Sequence, residues 1–231
     1  MASALAERLI VALDVPDRET ALGWVERLPQ VQWWKVGLEL FTAAGPVILT
    51  DLKARRKSVF LDLKYHDIPR TVARACQVAA RYGVDLLTLH AAAGSEALAQ
   101  AQAAVAGYPL KLVAVTLLTS IGPEQFSQEF VTPLALEDYV LHWAQVAQRA
   151  GLAGVVCSPW DVRRIKQTVG PDFLCVCPGI RWQGMVADDQ RRTWTPQATL
   201  AAGADYVVLG RPLLQAEHPE QVWRALVAPE G

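Results

Sequence analysis

Phe60–Thr71, FLDLKYHDIPRT, runs from an apolar strand into the start of a helix and sets three charges, Asp62, Lys64 and Asp67, at the junction. Side chains alternate along a strand, so Phe60, Asp62 and Lys64 are expected on one face and Leu61 and Leu63 on the other. An acid and a base then look into the same space. An unpaired buried charge costs on the order of several kcal/mol, so the two form either a structural ion pair or part of a site. This segment alone does not separate the two readings.

The same strand-then-helix pattern recurs along the chain. Apolar runs stand at Leu9–Leu13, Trp33–Val36, Val59–Leu63, Leu86–Leu89, Leu110–Val115, Gly154–Val156, Phe173–Val176 and Tyr206–Leu209. Helical periodicity lies between them at Arg18–Arg27, Pro46–Arg56, Arg70–Arg81, Ser95–Val105, Ala135–Ala150, Trp160–Val169 and Pro196–Ala202. Eight such repeats favour an α/β fold of the (β/α)8 TIM barrel type over an open doubly wound sheet, which more often has five or six strands. No composition shift or long linker divides residues 1–231, so one domain is expected. Two connections are long for a compact barrel, Ser120–Pro133 and Arg181–Thr195. The first reads as a tolerated surface insertion. The second carries Arg181, Asp188, Asp189, Arg191 and Arg192 and reads as a lid over the face where barrels build their sites.

With 52% hydrophobic residues the chain has ample material for a core, and its formal net charge of -1 gives no general field for nucleic acid or anionic lipid. An anionic ligand must therefore be held by a few local groups, and a small-molecule substrate is expected. No apolar run approaches the roughly 20 residues that span a bilayer. Glu7 and Arg8 stand where a signal peptide needs its apolar centre, so a soluble cytoplasmic protein is expected. Cys76, Cys157, Cys175 and Cys177 are too scattered for a disulfide framework and lack the second ligand pair of a zinc site, so they read as buried thiols. Among His66, His90, His142 and His218 only His90, closing LLTLH, is placed near a site.

Aligned by their C-terminal ends, the strands bring polar groups to one mouth. The first ends in Asp14, the second carries Lys35, the third Asp62 and Lys64, and the fifth runs into Thr116, Thr119 and Ser120. Asp14 alone could cap a helix, and Lys35 alone could snorkel to solvent. Together, two carboxylates and two ammonium groups can alternate in sign and hold a lysine charged within a partly dry pocket. The seventh strand leads into Cys177-Pro178-Gly179-Ile180-Arg181 and the eighth into Leu209-Gly210-Arg211-Pro212. Loops at these two places often bind phosphate in barrels, with glycine admitting backbone N–H groups and arginine supplying a fork of donors.

The blocks FLDLKYHDIPRT, VALD, KVG, VTLLTS, CPGIR and GADYVVLGRP together resemble the orotidine 5'-phosphate decarboxylase family in its short bacterial form, over almost the whole chain. The resemblance implies a barrel homodimer that converts orotidine 5'-phosphate to uridine 5'-phosphate and carbon dioxide, with no metal or organic cofactor. It implies that Lys64 donates the proton, that Asp62 lies beside the leaving carboxylate, and that Lys35 links Asp62 to the ribose region, where Asp14 binds. It implies that Asp67, Ile68 and Thr71 enter the neighbouring subunit's site. Thr119 and Ser120 match contacts to the pyrimidine. Pro178, Arg181, Gln190, Gly210 and Arg211 fall to the nucleotide, its phosphate and the lid. The chain departs from the family pattern at Arg70, usually Asn, and at Trp182, often Pro.

Two rival readings are weaker. Magnesium-dependent sugar-phosphate barrels such as hexulose-phosphate synthase share Asp-x-Lys-x-x-Asp, but Asp67-Ile68-Pro69 and VTLLTS favour the decarboxylase. A binding barrel without catalysis would have no use for the costly set Asp14, Lys35, Asp62, Lys64 and Asp67.

Overall fold

The structure, a computed structural model, describes residues 5–180 and 194–228. Eight parallel strands close into a barrel in sequence order: β1 Leu9–Ala12, β2 Trp33–Gly37, β3 Ser58–Tyr65, β4 Leu86–His90, β5 Lys111–Val115, β6 Gly154–Val156, β7 Leu174–Cys177 and β8 Tyr206–Leu209. β8 returns to β1 through the register Leu9↔Val207, which completes the ring. Helices α1 Arg18–Arg27, α2 Leu38–Ala44, α3 Val47–Ala54, α4 Pro69–Arg81, α5 Ser95–Ala104, α6 Pro123–Glu129, α7 Leu136–Arg149, α8 Val162–Val169, α9 Pro196–Ala201, α10 Arg211–Leu214 and α11 Pro219–Val227 join the strands or follow them. The barrel expected from the eight repeats is the fold observed. α2, α6, α10 and α11 were not among the expected helices, and α6 fills part of the connection expected to be a surface insertion.

Both faces of the strands are covered, which explains why they read as continuous apolar runs. Ile10, Ala12, Phe60, Leu86, Val113, Val115, Val156, Val176 and Val208 fill the barrel interior. Trp33 and Tyr206, at the starts of their strands, close its lower end with ring centroids 5.2 Å apart. The alternate residues, among them Val11, Trp34, Leu61, Leu87 and Leu112, pack outward against the helices. Gly154 is required by space: a Cβ there would lie 2.3 Å from the Leu174 carbonyl oxygen, so β6 could not keep its approach to β7.

One fastening occurs twice, four strands apart. Asp85, just before β4, accepts the Val59 N–H at 2.7 Å and Lys53 Nζ at 2.8 Å. Asp205, just before β8, accepts the Cys175 N–H and Lys166 Nζ, both at 2.8 Å. Each aspartate N–H also donates to the carbonyl of the same strand residue, at 3.0 Å to Val59 and 2.9 Å to Cys175. Each lysine sits in the last turn of the helix that precedes the strand, α3 or α8. These clamps lie at the N-terminal face, where polar residues serve stability. The first fixes β3, which carries the site at its opposite end, and the second fixes β7.

Candidate active site

Asp62 is the centre of the charged mouth. Its Oδ1 faces Lys64 Nζ at 2.9 Å and its Oδ2 faces Lys35 Nζ at 3.6 Å. Lys35 Nζ also donates to Asp14 Oδ1 at 2.9 Å, so the order across the mouth is Asp14, Lys35, Asp62, Lys64, with signs alternating. The side chains of Lys35 and Asp62 are 11% and 14% exposed, that of Lys64 30% and that of Asp14 50%. The array thus runs from a half-open carboxylate to an ammonium that solvent and a ligand can still reach. Removing a partner from so dry a set leaves an uncompensated charge, while an apolar replacement of the whole set would often be neutral or stabilising. Stability alone gives no reason to keep it.

Two local features place the ammonium groups. Gly37 faces the same mouth, and a Cβ built there would lie 2.8 Å from Lys35 Nζ and 3.2 Å from Asp14 Oδ1. The lysine stands in the space that a side chain would fill. At Lys64 the backbone has φ 49°, a left-handed conformation that costs a non-glycine residue roughly 1–2 kcal/mol. The pairing of β3 with β4 shifts between Leu61↔Leu87 and Tyr65↔Leu89. The expected alternation holds through this irregularity: Leu61, Leu63 and Tyr65 pack with the outer cluster, Phe60 lies in the barrel interior, and Lys64 meets Asp62 on the mouth side. The Lys64 N–H donates to Thr88 Oγ1 at 2.8 Å, and Thr88 Oγ1 lies 3.0 Å from Asp62 Oδ1. Thr88 escaped the sequence reading because threonine is an ordinary strand residue.

The remaining expected residues fall into separate places. Gly210 adjoins the array, since a Cβ there would be 3.6 Å from Asp14 Oδ2. Arg211 opens α10 and is exposed, Pro178 follows β7, and Thr119 and Ser120 are exposed in the turn after β5. Thr116 is not available to a ligand: it is buried and its hydroxyl donates to the Val156 carbonyl at 3.3 Å. Asp67 stays out of the array, its Oδ1 accepting the Ile68 N–H at 2.7 Å. Ile68 is 68% exposed, and Thr71 beside it is exposed too. Arg181 and Gln190, with most of the expected lid, lie outside the described residues. The four cysteines are free and buried as expected.

His90 closes β4 near this mouth. Its Nδ1 accepts the Ala92 N–H at 3.3 Å and its ring stacks on His66 with centroids 5.0 Å apart. Burial, with His66 and Lys64 adding to it, pushes the imidazole below its usual range and favours the neutral ring. Among the described residues no helix is long and apolar enough to cross a membrane.

A closed parallel barrel whose charges gather at the C-terminal mouth has the plan of a barrel enzyme. Residues 7–226 match the model of the Orotidine 5'-phosphate decarboxylase / HUMPS family. The orotidine 5'-phosphate decarboxylase of Synechocystis sp. is 54% identical over 222 residues, covering 95% of this chain and 96% of that one. That of Thermosynechococcus vestitus is 54% identical over 217 residues, 94% of this chain and 93% of the other. The crystal structure of orotidine 5'-phosphate decarboxylase from Lactobacillus acidophilus matches with a TM-score of 0.83 and 35% identity, covering 94% of this chain and 96% of that chain. The chain belongs to the orotidine 5'-phosphate decarboxylase / HUMPS family.

Proposed function

We propose that the protein decarboxylates orotidine 5'-phosphate to uridine 5'-phosphate and carbon dioxide, the last step in making uridine 5'-phosphate de novo, and that Lys64 delivers the proton. The observation that carries the reading is the alternating array, in which Asp62 holds Lys64 Nζ at 2.9 Å while Lys35 backs the other carboxylate oxygen. Breaking the bond from ring to carboxylate leaves an electron pair in the ring plane, where the π-system cannot spread it. A fixed ammonium meets this charge as it grows and then gives its proton to the same carbon, so one group serves both steps. Solvent returns the proton to Lys64, whose side chain is 30% exposed. Asp62 keeps the ammonium in place and Lys35 neutralises Asp62 on its far side. Half-open Asp14 is suited to a ribose hydroxyl.

The phosphate falls to Gly210 and Arg211 after β8, with Pro178, Arg181 and Gln190 from the segment after β7, and Thr119 and Ser120 contact the pyrimidine. Binding energy from this remote group can order the reacting end. The single domain works as a homodimer in the cytoplasm, each subunit lending Asp67, Ile68 and Thr71 to the other's site. Ile68, an apolar residue 68% exposed between Asp67 and Thr71 at the start of α4, supports this reading, because it suits a partner surface.

The experiment is an absorbance assay of the purified chain with orotidine 5'-phosphate in excess chelator. Full turnover is expected. Loss on chelation with recovery in magnesium would instead favour the sugar-phosphate branch of the family.

A further inference from the structure

We propose that Thr88 is a positioning residue for the Lys64–Asp62 pair, a role that rests on the decarboxylase reading. Thr88 lies on the inward face of β4 and is fully buried. Its oxygen accepts the Lys64 N–H at 2.8 Å and lies 3.0 Å from Asp62 Oδ1. A backbone N–H only donates and a carboxylate only accepts, so the single hydroxyl proton is committed to Asp62. The same Oδ1 takes Lys64 Nζ at 2.9 Å. One hydroxyl thus closes a ring from the Lys64 backbone, through Thr88 and Asp62, to the Lys64 ammonium.

The other buried threonines behave differently. Thr116 and Thr199 donate to the carbonyls of Val156 and Thr195, which satisfies backbone and touches no charge. Thr88 instead bonds Lys64, the one site residue among the described residues with a left-handed backbone, φ 49°, at the point where β3 and β4 lose register. The Lys64 N–H is met by the Thr88 side chain where the regular ladder is interrupted. Without the hydroxyl, that N–H and a carboxylate lone pair lose their partner together, and Lys64 loses its own bond to β4, the next pairing being Tyr65↔Leu89. The ammonium then drifts relative to the ring carbon it must protonate, and a misplacement of about 1 Å costs on the order of 100-fold in rate.

Thr88→Val keeps the branched shape and removes the hydroxyl, whereas Thr88→Ser keeps the hydroxyl and removes the methyl. Thr88→Val is expected to lower kcat about 10- to 100-fold with KM changed less than about threefold, and Thr88→Ser to stay within about threefold of the parent kcat. A valine variant with the parent kcat, or a serine variant as impaired as the valine one, overturns the proposal. Crystal structures of the parent and the valine variant read the geometry without activity. The valine variant should show Lys64 leaving the left-handed region or its Nζ moving beyond about 3.5 Å from Asp62; unchanged geometry overturns the proposal. A parent chain inert towards orotidine 5'-phosphate would count against the decarboxylase reading alone, and the crystal structures would then decide the role of Thr88.

Discussion

Gly37 ends β2 in a conformation open to any residue, with φ -97°, so its lack of a side chain matters for space and not for backbone freedom. The atoms that an added Cβ would crowd are Lys35 Nζ and Asp14 Oδ1, the ends of a flexible lysine and of a half-exposed carboxylate. Gly37→Ala should therefore leave the fold intact, holding stability or raising it by up to about 1 kcal/mol, while displacing the lysine and lowering kcat about tenfold or more. Thermal melting and steady-state kinetics check this together. A destabilised variant with full turnover would contradict it. Much of this scale was legible in the sequence, because Asp14, Lys35, Asp62 and Lys64 are charges at the ends of apolar strands, where they have to be paired or used. Neither Thr88 nor the left-handed turn of Lys64 was legible. A hydroxyl on a strand gives no warning, and a positive φ is announced only by glycine, asparagine or aspartate.

The elements divide the work between the two faces of the barrel. Clamps at Asp85 and Asp205 fasten the N-terminal face, and the strands project their charges at the other. The Lys166–Asp205 pair is the drier clamp, with side chains 14% and 26% exposed against 31% and 35% for Lys53–Asp85. Asp205→Ala should cost about 2–4 kcal/mol of unfolding free energy and Asp85→Ala about 1–2 kcal/mol, each with kcat per folded molecule unchanged. Urea unfolding of the two variants measures the difference, and equal or negligible losses would contradict the assignment. Strands were readable as short apolar runs that recur eight times, and long helices because their period repeats over several turns. α2, α6, α10 and α11, with 7, 7, 4 and 9 residues, give few turns in which a period can show and were missed, although six-residue α9 was expected. Pro69 opens α4 one residue before the expected start, as proline at the first helical position often does.

At the scale of the whole molecule, each barrel presents its own Lys64 but turns Asp67, Ile68 and Thr71 outward. If a two-fold partner supplies Asp67, equal mixing of Lys64→Ala and Asp67→Ala subunits makes about half of the dimers mixed, each with one site that holds both intact residues. Two inactive parents should then regain roughly a quarter of the parent activity. No recovery under confirmed subunit exchange would place Asp67 in its own chain's site. The closed barrel was legible from eight repeats, whereas the pairing of subunits entered through resemblance alone, since an exposed Ile68 in a sequence looks like any other isoleucine.

If the Lys64 ammonium does the chemistry, Lys64→Ala removes the proton donor and leaves the rest of the pocket in place. The measurement is single-turnover decarboxylation of orotidine 5'-phosphate by that variant, beside its affinity for uridine 5'-phosphate. The variant should react at least about 1,000-fold more slowly than the parent, with product affinity within about tenfold and the fold retained. A variant that binds the product normally and decarboxylates within about tenfold of the parent rate would contradict it.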